Sequence, residues 1–147
     1  MRQQYQGKIS TFGGPDDKGV GQTEGLALIG QADAGKWWFS SLFLTRGSTG
    51  YARGLNPDAY YIAMRWNYAE TPKNLLRRMV VRVCNPANGR IAFARPVDYG
   101  PGDGTLIDGN PTRDTGRIAD LSPGLAAYLG LETDDVAVIT LDTTLFE

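Results

Sequence analysis

The chain has 147 residues and a net charge of −1, from 15 basic and 16 acidic side chains, so no global field draws in a polyanion and nucleic acid is not an expected partner. Its length predicts a single domain over residues 1–147, and 19 glycines and 8 prolines beside 41% hydrophobic residues describe a folded, turn-rich, all-β chain. The sequence contains no histidine, which excludes Ser-His and Cys-His nucleophilic pairs, His-ligated zinc and imidazole proton transfer, leaving carboxylates, Tyr, Lys and the lone Cys84 as proton carriers.

From the N-terminus, residues 1–7 lack the apolar run of a signal peptide, and no segment reaches the length needed for a membrane span. Gly7-Lys-Ile-Ser-Thr-Phe-Gly-Gly14 reads as a strand running into glycines. Residues 13–36 are Gly- and Asp-rich, expected as a long ordered loop with one apolar piece, Leu26-Ala-Leu-Ile29. Trp37-Trp-Phe39 and Leu42-Phe-Leu44 fit either a strand or a short buried turn of helix, and a second loop follows over residues 45–57. Residues 59–68 alternate, with Tyr60, Ile62, Met64, Trp66 and Tyr68 on one face and Tyr61, Ala63, Arg65 and Asn67 on the other, the period of a strand.

Thr71-Pro-Lys-Asn-Leu-Leu-Arg-Arg78 reads as a single helical turn leading into Val80-Val-Arg-Val-Cys84, where Cys84 reads as a structural cysteine. The turn Asn85-Pro-Ala-Asn-Gly89 is a strong hairpin signal between two strands, the second ending at Asp98. The loop over residues 102–115 carries Asp103, Asp108 and Asp114 among glycines, but its spacing is not that of an EF-hand and it is read as solvated, without metal. Arg117-Ile-Ala-Asp-Leu121 then runs a short apolar strand into a marked helix start. Ser122 is a good N-cap, Pro123 suits the first turn and Gly130 the position past the end. A carboxylate at Asp120, between strand and capped helix, is held by rigid elements on both sides. A final strand, Asp135-Val-Ala-Val-Ile-Thr-Leu141, closes the sheet. The expected core is Ile9, Ile62, Met64, Val81, Val83, Ile91, Phe93, Ile118, Leu125, Leu129, Val136 and Val138.

The order of these pieces (opening strand into glycines, hairpin, Asp98-Tyr-Gly-Pro101, variable loop, Arg117-Ile-Ala-Asp-Leu-Ser122, helix, Leu129-Gly-Leu131, Val-rich strand) resembles the double-psi β-barrel family that includes the rare lipoprotein A-type lytic transglycosylases and the expansin N-terminal domain. The resemblance covers most of the chain and implies a six-stranded double-psi barrel with one or two short helices. It implies Asp120 as the key proton carrier, Asp98 beside it in the catalytic pair, and Thr11 in the same groove. Gln22-Thr-Glu-Gly25 falls near a Thr-x-x-Gly-Glu segment of the transglycosylase-like members, in a different register, and brings in Glu24 as a substrate-binding candidate. Tyr99 stands one residue before the position of the expansin tyrosine, which is Gly100 here; Trp37, Trp38, Trp66 and Tyr99 are aromatic candidates for sugar stacking, of which Tyr99 and Trp66 are carried as substrate-binding residues.

What the resemblance implies for function is cleavage of peptidoglycan, or binding of that or another wall polysaccharide, with no cofactor and no metal. The alternatives are a non-catalytic expansin-like module and a barrel reused as a phage structural or inhibitor protein. A wall target implies an extracellular or cell-envelope location, reached through a signal trimmed from this sequence or by delivery. Independently, cleavage without water needs one carboxylic acid that first protonates the leaving oxygen and then, as carboxylate, takes a proton from the attacking hydroxyl. A single Asp with a raised pKa fills both roles, and burial or a second carboxylate raises it.

Overall fold

The computed structural model describes residues 2–30, 33, 35–44, 50–101 and 116–142; the loop with Asp103, Asp108 and Asp114 lies outside the described residues, as do residues 45–49 of the second loop. Six strands form a closed barrel: β1 (Arg2–Thr11), β2 (Tyr61–Met64), β3 (Val81–Cys84), β4 (Ile91–Tyr99), β5 (Arg117–Leu121) and β6 (Val136–Asp142). Around the barrel they run β1-β5-β2-β4-β3-β6, with β6 pairing back onto β1. The β1/β5 and β2/β4 pairs are parallel and the other neighbours antiparallel. Parallel neighbours require long crossovers, and here β2 and β4 are joined through the segment that carries β3. The result is the all-β class expected, and its topology is compatible with a double-psi barrel. Three short helices accompany the strands: α1 (Phe39–Leu42), α2 (Lys73–Leu76) and α3 (Pro123–Leu129). The segment that fitted either strand or helix is therefore helical at α1, and the turn expected after Thr71 is α2.

Ile9, Ile62, Met64, Val81, Val83, Ile118, Leu125 and Leu129 are buried as expected. In β4 and β6 the phase is opposite to that expected. Ala92, Ala94 and Val97 point inward, as do Ala137, Ile139 and Leu141, while Ile91, Phe93 and Val136 face out, Phe93 with 57% exposure, and Val138 is only half-buried. Both strands are apolar on both faces, so a period of two gives no phase, and a shift of one residue exchanges the faces. The lumen decides it: a barrel of about eight strands is only just wide enough to be filled by side chains, so a six-stranded one favours small inward residues such as Ala92, Ala94 and Ala137.

The strand expected over residues 59–68 shortens to β2, all four of whose residues are buried. Tyr61 leaves the lumen and lies beneath the loop after β1, donating its hydroxyl to the Phe12 carbonyl at 2.9 Å and meeting the Phe12 ring edge-on at 5.1 Å. Gly13, at φ +89°, allows that approach, since a Cβ there would collide with the Tyr61 hydroxyl.

Helix α3 begins and ends as its sequence dictates. The Ser122 hydroxyl accepts from the Leu125 N–H at 3.3 Å, and Gly130 takes the left-handed conformation at φ 73°. The β3–β4 turn completes the C-terminal end: Asn85 and Asn88 donate their side-chain amides to the Leu129 carbonyl at 2.8 and 2.9 Å, and Arg90 donates to that of Tyr128 at 2.8 Å. These orphan carbonyls would otherwise lack partners, so the hairpin turn and the helix lock each other beside the strand that carries Asp120.

Candidate active-site cleft

Two β-bulges aim the carboxylates. Between β1 and β5, Lys8 faces Arg117 but Ile9 faces Ala119, leaving Ile118 as the extra residue; between β2 and β4, Ile62 faces Pro96 but Ala63 faces Asp98, leaving Val97 extra. Just beyond the bulges, Ser10, Asp120, Ala63 and Asp98 form one row across four adjacent strands. Directly opposed residues project from the same face, and strands lie about 4.8 Å apart, so Asp120 and Asp98 face each other across the small Ala63 side chain with backbones about 10 Å apart. Both line a cleft of about 270 Å³, together with Thr11, Glu24 and Tyr99. An adjoining hollow of about 400 Å³ shares Thr11, Phe12 and Asp17 with it, so the groove continues past the end of β1.

Asp120 is half-buried, and among the described residues its carboxyl accepts no hydrogen bond. Removal from water raises its pKa from the ordinary 3.8 to about 7; the Arg117 guanidinium opposes the rise, and the charges of Asp98 and Asp17 add to it. Arg117 is itself held by a bidentate pair with Asp134, at 2.8 and 3.2 Å. Asp98 is anchored instead. Its Oδ1 accepts from the Ala27 and Tyr99 N–H groups, each at 2.8 Å, and burial with the nearby Glu24 charge raises its pKa against the pull of those two donors. One carboxyl is therefore fixed in orientation and the other left without a hydrogen bond, so the two carboxyls differ in their surroundings although they share one cleft.

The other sequence candidates divide. Thr11 is exposed at the end of β1, opposite Leu121, and Glu24 is exposed on the loop facing Asp98. Tyr99 lines the cleft with its hydroxyl accepting from Arg65 Nε at 3.3 Å and the Arg65 guanidinium 5.7 Å from its ring centre. Trp66 is a correction: at 2% exposure it offers no face to a sugar. It sits in the core and donates its indole N–H to the Asp98 carbonyl at 2.7 Å, bracing the carboxylate's backbone from behind. Asp17 is a site residue that the sequence reading does not single out. Its two oxygens accept from the N–H groups of Gly13 at 2.6 Å and Gly19 at 2.8 Å, folding the Gly-rich loop over the cleft. The Gly-Gly-Pro-Asp-Asp run that contains it is the turn signal that marks such a residue. Among the described residues, no group of three or more His, Cys, Asp or Glu side chains is placed to hold a metal ion, and no helix is long and apolar enough to cross a membrane.

Comparison with protein-family models and with curated protein sequences gives no match.

Proposed function

We propose that the chain cleaves a glycan of the peptidoglycan type by intramolecular transfer, with Asp120 as both acid and base. The observation that carries this reading is Asp120 itself: a desolvated carboxyl with a pKa of about 7, facing an anchored second carboxylate across Ala63 in an open groove. Such a group is divided between acid and carboxylate near neutral pH, the condition for giving and then taking one proton. In the first step the Asp120 proton goes to the glycosidic oxygen as the C1–O bond breaks and the leaving sugar departs as an alcohol. In the second the muramyl 6-hydroxyl oxygen bonds to C1 while its proton returns to the Asp120 carboxylate, so no water is consumed. Asp98 holds the sugar or the developing positive charge, and Thr11 contributes a hydroxyl at the groove's edge. The wall glycan as substrate, and the kinship with the transglycosylase-type double-psi barrels, rest on the sequence motifs and on a topology compatible with them.

The test is mass spectrometry of purified peptidoglycan after incubation with wild type and Asp120→Asn. Anhydro-muramyl products from wild type, reduced at least about a hundredfold in the variant while wall binding persists, are expected, with the wild-type rate falling above pH 7 as the acid form of Asp120 is lost. Reducing-end products would replace transfer by hydrolysis, and binding without products would place the protein among non-cleaving glycan binders.

A further inference from the structure

A second groove, of about 600 Å³, is lined by Lys36, Trp37, Trp38, Arg77, Arg78 and Arg95 beside α2. Its charge is unbalanced. Asp33 is buried and serves Lys36 at 2.9 Å and, more distantly, Arg77 at 3.9 Å; among the described residues Arg78 and Arg95 have no carboxylate partner, their side chains donating only to the carbonyls of Asn74 and Arg77. Arg95 is half-buried, with its guanidinium 4.9 Å from the Trp38 ring and 6.0 Å from that of Trp37, so it is held in place rather than free in solvent. Trp37 is 84% exposed and presents a broad apolar surface in the midst of these cations. Fixed guanidinium groups suit carboxylate or phosphate oxygens, and an exposed indole suits a flat apolar ring face.

Adjacent residues tie the groove to the carboxylate cleft: the Ala27 N–H donates to the Asp98 carboxylate of the cleft, and the Leu28 carbonyl accepts from Arg77 of the groove at 2.7 Å. A ligand long enough to reach from the cleft past residues 27 and 28 would meet both sites. The signs of the two sites define its chemistry. A uniformly charged strand such as single-stranded nucleic acid would be repelled by Asp17, Glu24, Asp98 and Asp120, whereas a glycan with neutral rings and intermittent acidic groups satisfies both ends.

We infer that the groove of Trp37, Arg78 and Arg95 is a binding subsite for the carboxylate or phosphate groups borne by a glycan whose neutral rings occupy the carboxylate cleft. The ligand class rests on the glycan reading of that cleft; binding in the groove needs no chemistry at Asp120. The test is titration calorimetry with soluble peptidoglycan fragments carrying free stem-peptide carboxylates, and with the same fragments methyl-esterified, on wild type, Arg78→Gln and Trp37→Ala. Both positions are exposed, and unchanged melting verifies the fold. Esterification should weaken wild-type binding by about tenfold, and Arg78→Gln should remove most of that preference. Trp37→Ala should weaken both forms alike, by about threefold or more. Equal binding of acid and ester by wild type overturns the subsite and leaves the glycan reading standing. Failure of both forms to bind, together with no cleavage of wall, overturns both. Tighter binding of a single-stranded oligonucleotide than of the free-acid fragment assigns the groove to nucleic acid and overturns the inference.

Discussion

Replacing Asp120 by asparagine should make the protein more stable while it removes the proposed chemistry, and the size of the gain should depend on pH. The substitution keeps the side chain's shape but removes a group whose folded pKa stands near 7 against an ordinary 3.8. At about 1.36 kcal/mol per pH unit, keeping that carboxylate ionised in the folded state costs about 4 kcal/mol at most. The sign follows from proton binding. Between roughly pH 4 and 7 the folded wild type retains a proton that the unfolded chain has released, so this contribution is fully present below about pH 4, declines as pH rises and levels off above 7. An amide in its place does not titrate and carries no such dependence. The variant should therefore match wild type near pH 4 and exceed it by about 2–4 kcal/mol at pH 8, the lower figure applying if water relaxes around the half-buried group. Asp98, Asp33 and Asp134, whose pKa values are also shifted, are present in both proteins and largely cancel in the difference. Urea denaturation of both proteins at pH 4, 6 and 8 measures it. A stability difference that stays constant across that range would refute the desolvated carboxyl and remove the physical basis for Asp120 as a neutral-pH acid.

Leu125→Ala, in the buried face of α3, should cost about 2–5 kcal/mol, whereas Phe93→Ala on the outer wall should stay within about 1 kcal/mol, both read by chemical denaturation; equal losses would mean the inward phase assigned to β4 is wrong. Gly124→Ala should cost about 1–3 kcal/mol, because its Cβ would lie 2.8 Å from the Asp58 Cα and the Pro57 carbonyl oxygen, where backbone cannot yield cheaply; an unchanged melting temperature would show that the 57–58 turn moves freely from α3.

Local signals are legible wherever one residue type has one physical use. Ser122, Pro123 and Gly130 announce α3, and Asn88-Gly89 announces the hairpin, with Gly89 at φ 76° as that turn requires. The carboxylates stand out because each ends a strand next to a turn. Phase is not legible in Ile91-Ala-Phe-Ala94 or in Val136-Ala-Val-Ile139, where both faces are apolar and only the width of the lumen chooses between them. Trp66 and Tyr61 mislead together: an alternating pattern places Trp66 on a usable face, but the strand ends at Met64 with both faces buried, and Trp66, two residues beyond it, is buried as a brace for Asp98. The tryptophan pair Trp37 and Trp38 gains meaning only with Arg95 brought beside both rings from a distant strand.

The bulges explain why the site itself can be named from sequence yet not constructed from it. Without the extra residue at Val97, Ala63 would face Val97 and Asp98 would turn away from Asp120; without the one at Ile118, Asp120 would not stand beside Ser10 at the mouth of β1. A one-residue change in pairing exchanges the faces of everything downstream, and neither Val97 nor Ile118 is a residue type that marks a bulge. What fixes them lies elsewhere in the chain. The Leu28 N–H donates to the carbonyl of Val97, and Gly7 makes room for Ile118, whose Cγ2 would be 2.7 Å from a Cβ at that glycine. The carboxylate pair is thus a tertiary property, assembled when the loop after β1 and the flank of β1 close on two strands whose own sequences leave the register open.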